Sequence, residues 1–274
     1  MYRLLFIVCV CIFLVQCRSK EEGESSKSLW SNFGKLTENE ESGINNIIRF
    51  YGGQCKYGAG NSVTISAGTK KYFNIEVSKS ELLEKFSDKA ELPASNIAQI
   101  FFSNLKSEQK NYSEIQVTVV FENGKKLQFI YKTPQLLQIT KRFGLCYKIV
   151  EYIKYKQYDE IKKRIKSSFP EEFGKDFNEK NAIEAALSEM QIVDKNLGDI
   201  QGFRLHGFYV YQTKDLKDIL HISGVIIRDT EQHSHEFSIE IDLNGDKEDV
   251  YFLDYKLLIF QSDQLLQLVV NTCR

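Results

Sequence analysis

The chain has 274 residues, of which 42% are hydrophobic and 12% aromatic, and its formal net charge at pH 7 is −1. That is enough chain and enough apolar side chain for one large or two ordinary domains with a real core. Near-neutral charge argues against general nucleic-acid binding, which needs a basic face to meet phosphates.

After Met-Tyr-Arg, residues 4–15 (LLFIVCVCIFLV) are twelve apolar residues without a break. A helix needs about 20 such residues to cross a bilayer, so this run is too short to span and fits the apolar segment of a signal peptide. It ends in Leu14-Val15-Gln16-Cys17. That ending resembles the lipobox of bacterial lipoproteins, with Gln16 where the family usually has Gly, Ala or Ser. The resemblance implies a signal peptide over 1–16, lipidation at Cys17, and attachment to the membrane through that N-terminal lipid. Ser19-Lys20-Glu21-Glu22 looks like the short Lys-acidic signal that sends some lipoproteins of Gram-negative bacteria to the cell surface. It implies the outer membrane, with the surface favoured over the periplasmic face. Residues 17–42 form the lipidated tether, because a segment this rich in Glu, Ser, Lys and Asn buries too little to fold.

The rest divides into an N-terminal α+β domain over 43–150 and a C-terminal α+β domain over 151–274. In the first, "GINNIIRFYG" reads as a helix stopped by Gly52-Gly53, and "SVTIS" and "KKYFNIEVS" as strands. "KSELLEKFS" is a short helix capped by Ser78 or Ser80, and "ASNIAQIFFSNLKSEQ" an amphipathic helix after Pro93. "YSEIQVTVVFENGKKLQFIYKT" is a hairpin turning at Asn123-Gly124, and a helix follows Pro134. In the second domain two helical stretches, "YKIVEYIKYKQYDEIKKRIKSSF" and "NEKNAIEAALSEMQIV", precede four β-rich runs between 199 and 260. The fold class is therefore α+β with antiparallel, hairpin-rich sheets. This element order resembles the cystatin-like and NTF2-like folds, which implies a curved sheet wrapped around a helix, here the one at 179–192. Side-chain alternation puts Phe203, Leu205 and Gly207 on one face, followed by Tyr209 and Tyr211. An apolar pocket with tyrosine hydroxyls would lie at the open end of that sheet.

Beyond Cys17 the cysteines are few. Cys55, Cys146 and Cys273 remain after the leader, an odd number that allows one disulfide in an oxidising envelope, with Cys55 and Cys146 the first pair to consider. "DLNGDKED" at 242–249 alternates oxygen ligands as a calcium loop does, but Lys247 and Leu253 stand where a glycine and a bidentate Glu belong, so it reads as an acidic hairpin turn. His233 and His235 share a face of an extended segment without a third ligand, and His206 and His221 are isolated in strands. Nine Lys or Arg against three acids between 141 and 166 read as the solvated face of an apolar stripe at Ile149, Ile153, Ile161 and Ile165. The glycine-rich 51–62 segment lacks the spacing of a phosphate loop and reads as a flexible connection.

The expected function is a lipid-anchored envelope protein with a binding or scaffolding role, no catalytic chemistry, and no cofactor or metal. An envelope protein or a small apolar ligand is the expected partner. The alternatives are a hydrolase using histidines of the C-terminal half and a structural subunit of an envelope complex.

Overall fold

The computed structural model describes residues 35–64, 68–166, 179–196, 198–214, 216–229, 235–245 and 247–257. The first helix, α1 (Glu38–Tyr51), begins inside the stretch expected to be tether. A capping box sets its start: the Thr37 hydroxyl accepts from Glu40 N, and Glu40 Oε2 accepts from Thr37 N. Ile44, Ile47 and Tyr51 form its buried face.

Two strands follow, β1 (Gln54–Thr64) and β2 (Gly68–Ser78), paired antiparallel. β1 occupies most of the glycine-rich segment expected to be a loose connection. Gly60 serves a close approach there, since a Cβ on it would stand 2.4 Å from the Tyr72 ring on β2. Ser80 caps the short α2 (Glu81–Glu84) by accepting from Leu83 N. Next come α3 (Glu91–Leu105), β3 (Glu114–Val120) and β4 (Lys126–Lys132). The β3–β4 hairpin turns at the expected place, with Gly124 at φ 81° and its N–H bonded to the Phe121 carbonyl.

The first sheet has the order β1-β2-β3-β4, and β2 pairs parallel with β3, so it is mixed rather than antiparallel throughout. A parallel pair needs a crossover, and α3 lies within it. Phe73, Ile75 and Val77 of β2 and Ile115, Val117 and Val119 of β3 face the helices and are buried. α3 is covered nearly all round, as expected of a helix packed between layers.

α4 (Thr133–Lys154) is a single helix that runs through the boundary expected at 150–151. Its buried stripe includes Leu136, Ile139, Phe143, Cys146, Ile149 and Ile153. The short α5 (Tyr158–Lys162) and α6 (Glu179–Asn196) lead to β5 (Ile200–Gln212), β6 (Asp218–Arg228), β7 (His235–Asp242) and β8 (Val250–Leu257). These four make an antiparallel meander in chain order, as expected. The class is α+β.

The face assignment on β5 differs from simple alternation. The register shifts between Leu205 and Gly207, so Phe203 and Leu205 pair with Ile226 and Gly224, and Phe208 and Val210 then pair with Ile222 and Leu220. Those partners form the buried face of β6, and Tyr209 and Tyr211 therefore lie on the opposite face. The bulge is seated on α3: Phe208 N donates to Ser95 Oγ at 2.7 Å, and Asn96 Nδ2 donates to the Leu205 carbonyl at 3.2 Å. A buried network ties α6 to the same sheet. Asp194 accepts from the Arg228 guanidinium and from Tyr255 and Tyr158, and both ionic side chains are almost wholly buried.

Candidate functional site

A cleft of about 880 Å³ opens between α1, α3 and α4 on one side and β5 and β6 on the other. Its floor comes from one face of α3. Asn96, Gln99 and Ser103 recur at spacings of three and four, which places them on one side of the helix. Its walls are apolar, from Phe143 and Tyr147 of α4 and Phe203, Leu205 and Ile227 of the second sheet. Phe203 meets Tyr147 edge-on with ring centroids 6.0 Å apart.

Hydrogen bonds fix the polar floor. Gln99 Nε2 donates to Ser103 Oγ at 2.9 Å and to Thr140 Oγ1 at 3.0 Å. Thr140 Oγ1 in turn donates to the Leu136 carbonyl at 2.7 Å. Gln99 is 7% exposed, and its Oε1 is buried without a hydrogen-bond partner among the described residues. A buried acceptor left in this state costs about 1–3 kcal/mol unless something donates to it.

Charge in the cleft has one sign. Among the described residues its lining includes Arg49 and Arg204 and no Asp or Glu. The Arg204 guanidinium lies 4.5 Å from the centre of the Phe50 ring, and its Nη2 reaches the Phe50 carbonyl at 3.4 Å. Arg49 bonds the Asn46 side chain. Burial, with the Arg204 charge added, holds the His206 imidazole below its ordinary range.

The histidines expected from sequence have other surroundings. His206 packs against Phe86, with ring centroids 5.1 Å apart. His221 stacks on Tyr209 at 4.4 Å, and its Nδ1 is 3.1 Å from Glu240 Oε1, while Tyr211 OH donates to Glu240 Oε2 at 2.9 Å. His233 and Cys17 lie outside the described residues, as does the side chain of His235. In the 242–249 segment Asp242 Oδ1 accepts from Asn244 N, an Asx turn, and Glu248 pairs with Lys148 and Arg164. Among the described residues no group of three or more His, Cys, Asp or Glu could hold a metal ion.

The basic stretch at 141–166 is partly neutralised by neighbours: besides Lys148 and Arg164, Lys162 pairs with Glu184 and Lys163 with Glu160. Cys55 and Cys146 are both free thiols, so the pairing considered from sequence does not form. One sits on edge strand β1 and the other inside the buried stripe of α4. Burial pushes the Cys55 thiol up to about 12, with the Glu76 charge adding to it. No helix among the described residues is long and apolar enough to cross a membrane.

Arg49, Gln99, Thr140 and Arg204 were not singled out from sequence. The polar stripe Asn96, Gln99, Ser103 in an otherwise apolar helix was the available signal. Comparison with known proteins returns no matching family model, no matching curated protein and no matching solved structure.

Proposed function

We propose that this is a bacterial lipoprotein of the cell envelope, anchored through Cys17, whose folded part binds a small and largely apolar ligand in the cleft. The anchor rests on the leader and its Leu-Val-Gln-Cys ending. The binding role rests on one observation above others: a cleft of about 880 Å³ with apolar and aromatic walls and a few polar side chains at its floor. That make-up is the usual one of a small-molecule site.

Two experiments test the two parts. Cys17→Ala should leave the precursor uncleaved and unlabelled by palmitate analogues; labelling as in the wild type refutes the anchor. For the cleft, Gly144 offers a blocking position, because a Cβ built there meets nothing within 4 Å. Protein isolated from its own envelope should release a small molecule on denaturation, and Gly144→Trp should release none. Equal release from both, or release from neither, refutes the binding role.

A further inference from the structure

The cleft has two features that together restrict its ligand more than its size does. Among the described residues its only lining charges are the guanidiniums of Arg49 and Arg204, and neither has a carboxylate partner there. Guanidinium is weakly hydrated and presents paired N–H groups, so it meets a carboxylate, phosphate or sulfonate well. Between floor and arginines the walls are apolar and aromatic, at Phe143, Tyr147 and Phe203.

Resting on the reading of this cleft as a ligand site, we infer that the ligand is a small organic anion with an apolar body. The anionic group meets Arg49 and Arg204, and the body lies against the aromatic walls. A neutral hydrocarbon would leave the guanidiniums unmet. A polyanion would exceed the two cations available.

Two fluorescent probes separate these requirements. 8-Anilinonaphthalene-1-sulfonate and N-phenyl-1-naphthylamine share the same rings and the same N–H, and only the first is an anion. In the purified full-length protein, with the detergent blank subtracted and folding checked by circular dichroism, the sulfonate should bind more tightly by about tenfold or more. Arg49→Met with Arg204→Met should bring the two probes to within about twofold, and added salt should weaken the sulfonate alone. 3-Hydroxydecanoate should displace the sulfonate; displacement by phosphatidylglycerol vesicles alone would overturn the assignment to a free small molecule. Equal affinities for the two probes, with both lost in Gly144→Trp, would overturn the anion inference and leave the cleft as a ligand site. If Gly144→Trp disturbs neither probe, the cleft itself is not the site and both readings fall.

Discussion

Gly207→Ala tests how the second sheet is joined to α3. A Cβ at Gly207 would stand 1.8 Å from the Leu92 carbonyl oxygen and 2.4 Å from the Leu92 carbonyl carbon. Both atoms are backbone, so no side chain can rotate away. Restoring an ordinary contact of about 3.5 Å requires β5 to move by more than an ångström. That movement breaks the seat of the bulge, where Ser95 Oγ receives Phe208 N and Asn96 Nδ2 reaches the Leu205 carbonyl. Each buried group left without its partner costs about 1–3 kcal/mol. Alanine at a φ of 156° adds about 1 kcal/mol of backbone strain. The expected loss is about 3–7 kcal/mol, a large part of the 5–15 kcal/mol typical of a folded domain. Urea unfolding followed by far-UV circular dichroism measures it. Gly144→Ala is the control, because its Cβ enters open space in the interior of α4 and should stabilise by about 0.5–1 kcal/mol. A Gly207→Ala protein within about 1 kcal/mol of wild type would refute the reasoning.

Asp194→Ala removes a buried carboxylate from beside Arg228 and should cost about 3–5 kcal/mol, whereas a loss under about 1 kcal/mol would show that solvent reaches the pair. Glu76 on β2 bridges Lys56 and Lys126 at 3.1 and 3.3 Å. Burial alone would raise its carboxyl, but the two lysines outweigh it and hold the group below the ordinary 4.5. Its stabilisation is therefore present above 4.5 and is lost as pH falls through the depressed folded value. Because both lysines are largely exposed, Glu76→Gln should cost only about 0.5–1 kcal/mol near neutrality. Urea midpoints should converge at acid pH, and a gap that stays constant with pH would exclude the linkage.

The features legible in the chain were those set by neighbours a few residues apart. Asn123-Gly124 specified a hairpin because glycine tolerates the positive φ the turn needs. Ser80 specified a helix start because its hydroxyl reaches the backbone N–H three residues on. The four β-rich runs specified a meander, since short connections make consecutive strands neighbours. The capping box at Thr37 and Glu40 was equally local, and composition masked it. What tertiary structure alone decided depends on residues far apart. Gly60 belongs in a strand because the Tyr72 ring lies across it. α4 runs unbroken from 133 to 154 because a continuous buried stripe holds it against both sheets. The bulge before Gly207 exchanges the faces of Phe208 and Tyr209 because α3 supplies Ser95 and the Leu92 carbonyl at that point. The cleft brings Arg49, Gln99, Thr140 and Arg204 together from four separate elements. Periodicity along one element cannot encode that meeting, because the packing of those elements creates it.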